Sequence, residues 1–136
     1  MATTTAAFKL YSKDLVSQGV DVDLSTTLYT AGTSTGISAF TGTIVTTLPS
    51  SGSPATLKIG DKTLYTDDKS AKVYIYNAEP ISGPDDYAEI TLDSVVLGRL
   101  YPGDWCLIPW ATLVDVNITP KASTEVKIEY CILGNA

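Results

Sequence analysis

The chain has 136 residues, the length of one ordinary domain, with 44% hydrophobic residues, 18% charged residues, no His and a net charge of −6. Nineteen Thr and twelve Ser make it hydroxyl-rich. This balance excludes a disordered acidic tail, which would be poor in apolar residues, and argues against a helical bundle, where Glu, Lys, Leu and Ala dominate.

Residues 1–7 read as a short extended N-terminal arm, too poor in large apolar groups to pack alone, and residues 8–136 as one domain. The segment 13–19 holds one short turn at most. Val20, Val22 and Leu24 then alternate with Asp21 and Asp23, the period-two pattern of a half-buried strand. The Thr-, Ser- and Gly-rich region 30–53 reads as long loops around a β-branched strand over 40–48 that closes at Pro49. Apolar runs over 55–59 and 62–66 flank Gly60-Asp61 and predict a tight hairpin. Asp67-Asp68-Lys69-Ser70 is a turn, after which Val73 and Ile75 alternate with Tyr74 and Tyr76. A polar loop over 79–86 leads to a strand over 90–96. Tyr101-Pro102-Gly103-Asp104 turns the chain into a strand over 105–110, and further strands cover 114–119, ended by Pro120, and 126–132. About eight strands at this spacing, with no sustained helical period, predict an all-β fold. The expected architecture is a single-domain antiparallel β-sandwich, jelly-roll or Greek-key, with the N-terminal arm outside it.

Little in the chain points to chemistry. Without His there is no usual general base, no usual zinc ligand and no Ser-His-Asp or Cys-His arrangement. Asp67-Asp68 and Asp85-Asp86 are adjacent pairs among turn formers, and neighbours on a strand point to opposite faces, so turn capping explains them better than catalysis. Asp21 and Asp23 share a strand face but lack the spacing of a calcium loop. Gly32-Thr33-Ser34-Thr35-Gly36 has no Lys or helix after it and reads as a plain loop. No enzyme activity and no cofactor are therefore expected. Arg99 is the single arginine and the lysines are scattered, so nucleic-acid binding is not expected either. No apolar run approaches the ~18 residues of a membrane span, and no secretory signal is visible. Cys106 and Cys131 sit in apolar strand settings. Two buried free thiols are the preferred reading and a disulfide between adjacent strands is the alternative.

Aromatic residues are the most informative set. With Val73 and Ile75 in the core, Tyr74 and Tyr76 stand side by side on the opposite face, either covering a sheet or anchoring an interface. Trp105 and Trp110 have opposite parity, so one is expected in the core and the other at the periphery. Phe8, Tyr74, Tyr76, Tyr101 and Trp110 form the candidate protein-interface set. So little charge suits a subunit packed into an assembly better than a free monomer.

The stretch Leu100-Tyr101-Pro102-Gly103-Asp104-Trp105-Cys106-Leu107-Ile108-Pro109-Trp110, followed by a short strand, Pro120-Lys121-Ala122-Ser123-Thr124 and Val126-Lys127-Ile128-Glu129-Tyr130-Cys131-Ile132-Leu133-Gly134, resembles the ending of small all-β virion proteins of tailed bacteriophages. The opening Met-Ala-Thr-Thr-Thr is similar to phage structural proteins as well. The resemblance implies a capsid cement or decoration protein, made in the host cytoplasm and seated on the outer surface of the head. Its partner would be the major capsid protein, and it would form a trimer or dimer. Another virion part (neck, tail or fibre base) and a carbohydrate-binding module, with Tyr74, Tyr76, Trp105 or Trp110 stacking on sugars, are the competing expectations.

Overall fold

Period-two segments become strands, and ten antiparallel strands make up the regular structure among the described residues of the computed structural model. It describes residues 4–13, 20–29, 37, 41–48, 56–64, 71–80, 85–121 and 125–134. β1 (Thr4–Ser12) and β2 (Val20–Leu28) pair with each other alone, in register from Thr4 opposite Leu28 to Ser12 opposite Val20. The other eight are β3 (Ile44–Leu48), β4 (Leu57–Gly60), β5 (Ala71–Asn77), β6 (Ala88–Leu92), β7 (Val95–Leu100), β8 (Trp105–Trp110), β9 (Val116–Pro120) and β10 (Val126–Leu133). They form two four-stranded sheets, ordered β3-β10-β5-β8 and β4-β9-β6-β7.

Each strand of the first half pairs with its counterpart counted from the other end: β3 with β10, β4 with β9, β5 with β8, β6 with β7. The eight strands are therefore one long hairpin rolled up into two sheets, which is a jelly roll. Of the two sandwich topologies left open by the sequence, this is the one formed.

The core lies between the sheets. Ala71, Val73 and Ile75 of β5 face Ala88 and Ile90 of β6 and Val116 and Ile118 of β9, all at most 2% exposed, with Val126 and Ile128 of β10 beside them. Trp110, at the end of β8, closes one side of this core. Its indole Nε1 donates to the Val114 carbonyl at 2.7 Å. Its ring lies so close over Gly60 that a Cβ there would stand 2.9 Å from it, which explains a glycine at the end of β4. Pro109 lacks an N–H and is tolerated because β8 is an edge strand.

Several sequence expectations change. The hairpin about Gly60-Asp61 does not form: β4 pairs with β9, while residues 62–64 are a turn. The Asp61 carboxylate accepts the N–H and hydroxyl of Thr63, at 2.8 and 2.6 Å, and bends the chain away. The strand expected over 90–96 is two strands, folded back at Asp93-Ser94, where Asp93 adopts φ 51°. Residues 4–7 of the expected arm are the first half of β1. The turns placed at 13–19, 50–54 and 67–70 lie wholly or mostly outside the described residues.

Candidate interaction surface

Alternation on β5 sends Lys72, Tyr74 and Tyr76 to the outer face of the β3-β10-β5-β8 sheet. The register then assembles the rest of that face. Tyr74 lies between Cys131 of β10 and Leu107 of β8, and Tyr76 between Glu129 and Trp105. Trp105 is 47% exposed and Leu107 36%. Tyr74 is half-buried, and burial, followed by the charge of Glu129, raises its phenol above the usual value, so it remains protonated at neutral pH.

The hairpin root stands over this face. Thr4, Ala6 and Leu28 border a gap of about 390 Å³ whose other wall is Tyr74, Leu107 and Cys131. The Phe8 ring meets Trp105 edge-on, with centroids 5.8 Å apart and planes at 63°. Cys131 points outward and is nevertheless 6% exposed. Cys106, one strand beyond β5, points inward. Both thiols are free, and the pair stands on opposite faces of one sheet, so no disulfide can join them. Burial raises both thiols above their usual value, which favours the protonated form.

Trp105 is held in place by the turn before it. Tyr101-Pro102-Gly103-Asp104 closes with the Asp104 N–H on the Tyr101 carbonyl at 2.8 Å and Gly103 at φ 90°, a type II turn with Pro and Gly in the positions that favour them. Fully buried Asn77 clamps this turn to β5. Its side-chain amide donates to the carbonyls of Leu100 (2.8 Å) and Asp86 (3.0 Å), and its Oδ1 accepts the Glu79 N–H at 3.0 Å. Its backbone exchanges hydrogen bonds with Asp104 and Gly103.

Of the residues singled out from sequence, Phe8, Tyr74 and Tyr76 come together on this face. Tyr101 sits apart, its ring tilted 55° against that of Tyr87 with centroids 5.6 Å apart, and the Arg99 guanidinium lies over Tyr87. Trp110 is a core residue, 2% exposed, and presents no surface. Exposed Leu10, Leu24 and Leu107 are absent from the sequence-derived set, although the alternation of Val22 and Leu24 with aspartates carries the signal for Leu24.

The acidic residues are accounted for locally. Asp93 accepts the Asp115 N–H at 2.8 Å and pairs with Lys62 at 3.3 Å, while Asp115 pairs with Lys58 at 3.3 Å. Asp85 pairs with Lys121, Asp21 and Asp23 lie on the polar face of the hairpin, and Asp67-Asp68 lies outside the described residues. Among the described residues no group of three or more Cys, Asp or Glu is arranged to hold a metal ion. No protein-family model matches the chain, and neither the curated proteins nor the solved structures give a match.

Proposed function

We propose that this chain is a non-enzymatic virion subunit of a tailed bacteriophage, a cement or decoration protein that binds the outer surface of the head and bridges neighbouring major capsid proteins. The observation that carries this reading is the hairpin. A jelly roll carries a ribbon of nine residues per strand whose apolar face is only half covered, a surface that suits a subunit built into an assembly better than a free monomer. The jelly roll serves viral capsid, lectin and cupin proteins alike, so it supports the reading without selecting it. Net charge −6 suits the outside of a head better than the DNA-facing side.

Copy number tests the proposal. Quantitative mass spectrometry of purified particles is expected to find the chain in a simple whole-number ratio to the major capsid protein. A count of about a dozen or fewer would move it to the neck or tail, where rings are small. Absence from particles would overturn the virion reading and turn attention to glycans, for which Trp105 is the exposed tryptophan.

A further inference from the structure

We propose that the β1–β2 hairpin is an exchange arm whose seat is the outer β3-β10-β5-β8 face of a second copy of this chain. An isolated two-stranded hairpin is marginally stable at best in water and needs a further layer against its apolar face. The register puts Phe8 and Leu10 of β1 on one face with Val22 and Leu24 of β2, and Lys9, Asp21 and Asp23 on the other. Its own chain leaves that apolar face about half open: Phe8 is 37%, Leu10 48% and Leu24 60% exposed. The seat is equally unfilled, with Trp105 at 47% and Leu107 at 36%, and a gap of about 360 Å³ separates the two. Apolar faces that oppose one another across such a gap forgo the close packing of a protein interior.

Both halves of the contact, the Phe8 ribbon and the Trp105 seat, belong to this one chain. Every copy therefore carries the complement of every other, the condition for a closed homo-oligomer. The area agrees. At roughly 180 Å² for a large side chain, the five half-exposed residues leave on the order of 400 Å² of apolar surface. Apolar atoms make up a little over half of a typical interface, so this corresponds to roughly 700 Å² per partner, close to the ~800 Å² of a standard one.

The test needs only the purified full-length chain, so its outcome is independent of whether the protein is found on phage heads. Light scattering at about 100 μM, well above the dissociation constant of a standard-sized interface, is expected to give at least twice the 14.4 kDa chain mass. Phe8→Asp with Leu24→Asp charges the ribbon and spares the seat; Leu107→Asp charges the seat and spares the ribbon. Each variant alone is expected at the monomer mass, and an equimolar mixture at twice that mass, because one intact ribbon then finds one intact seat. Thermal melts verify that each variant folds. Leu10→Asp and Trp105→Ser replace any that does not. A monomeric wild type, variants that stay oligomeric, or a mixture that stays monomeric would each overturn the proposal and leave the ribbon to its own chain or to another protein.

Discussion

Asn77 is the residue on which the end of the sandwich depends. It is 0% exposed, and every polar atom of its side chain is engaged with backbone from three separate segments. Replacing it with Ala removes three hydrogen bonds and strands the Leu100 carbonyl in a buried position and the Asp86 carbonyl in a partly buried one. We expect Asn77→Ala to cost about 2–4 kcal/mol, on the order of 10 °C in Tm by calorimetry. A loss under about 1 kcal/mol would mean that water replaces the amide. Sequence alone could not single out this residue: an Asn after a strand reads as a turn former, and only the convergence of β5, the β7–β8 turn and residue 86 makes it a buried hub. Trp110 is similar. Its parity opposite to Trp105 is legible in the chain, but not which of the two is buried, and its place against Gly60 follows from β4 lying in the opposite sheet.

At the level of elements, the β6–β7 turn shows how a charge and a backbone conformation combine. Asp93 takes a positive φ, open to Gly, Asn and Asp, and its carboxylate receives the Asp115 N–H. That hydrogen bond is the main cause of a carboxyl group held below its usual value, with Lys62 adding to it. A depressed carboxylate contributes stability above its unfolded pKa, and the contribution is lost as pH falls through the folded value. Asp93→Asn keeps the backbone conformation and removes the charge. It is expected to melt below wild type near neutral pH, with the difference closing below about pH 4. A difference constant with pH would assign the effect to the backbone instead. Elements with strict alternation, such as β5, β8 and β10, were legible because one face is buried. The Gly60-Asp61 pair marks a turn without specifying which strands flank it, so it does not reveal that β4 pairs with β9.

In the whole molecule two layers of stability coexist. The jelly roll ties its eight strands into ladders, all but β6–β7 across long sequence separations, while the hairpin meets it through a half-filled apolar contact. Native-state hydrogen exchange is expected to find β1 and β2 amides exchanging at least tenfold faster than those of β5, β6, β9 and β10, through openings that leave the sandwich intact. Equal protection would show that the hairpin and the sandwich unfold as one unit. In an oligomer with exchanged arms this contrast narrows as concentration rises, because docking protects the hairpin by mass action.

The structural class of the protein follows from local pattern in the chain. Its period-two segments, turn residues and sparse charge specify a single all-β sandwich, because the side chains of a strand alternate between faces and half of them must find a core. It also determined which residues of β5 point outward. Only the tertiary structure decided that the eight strands roll into a jelly roll, that Trp110 goes inward while Trp105 stands out, and that β1 and β2 form a separate ribbon with an uncovered apolar face. Those outcomes depend on which strands meet across tens of residues. Local pattern carries no information about that meeting, because any strand with one apolar face can satisfy any other.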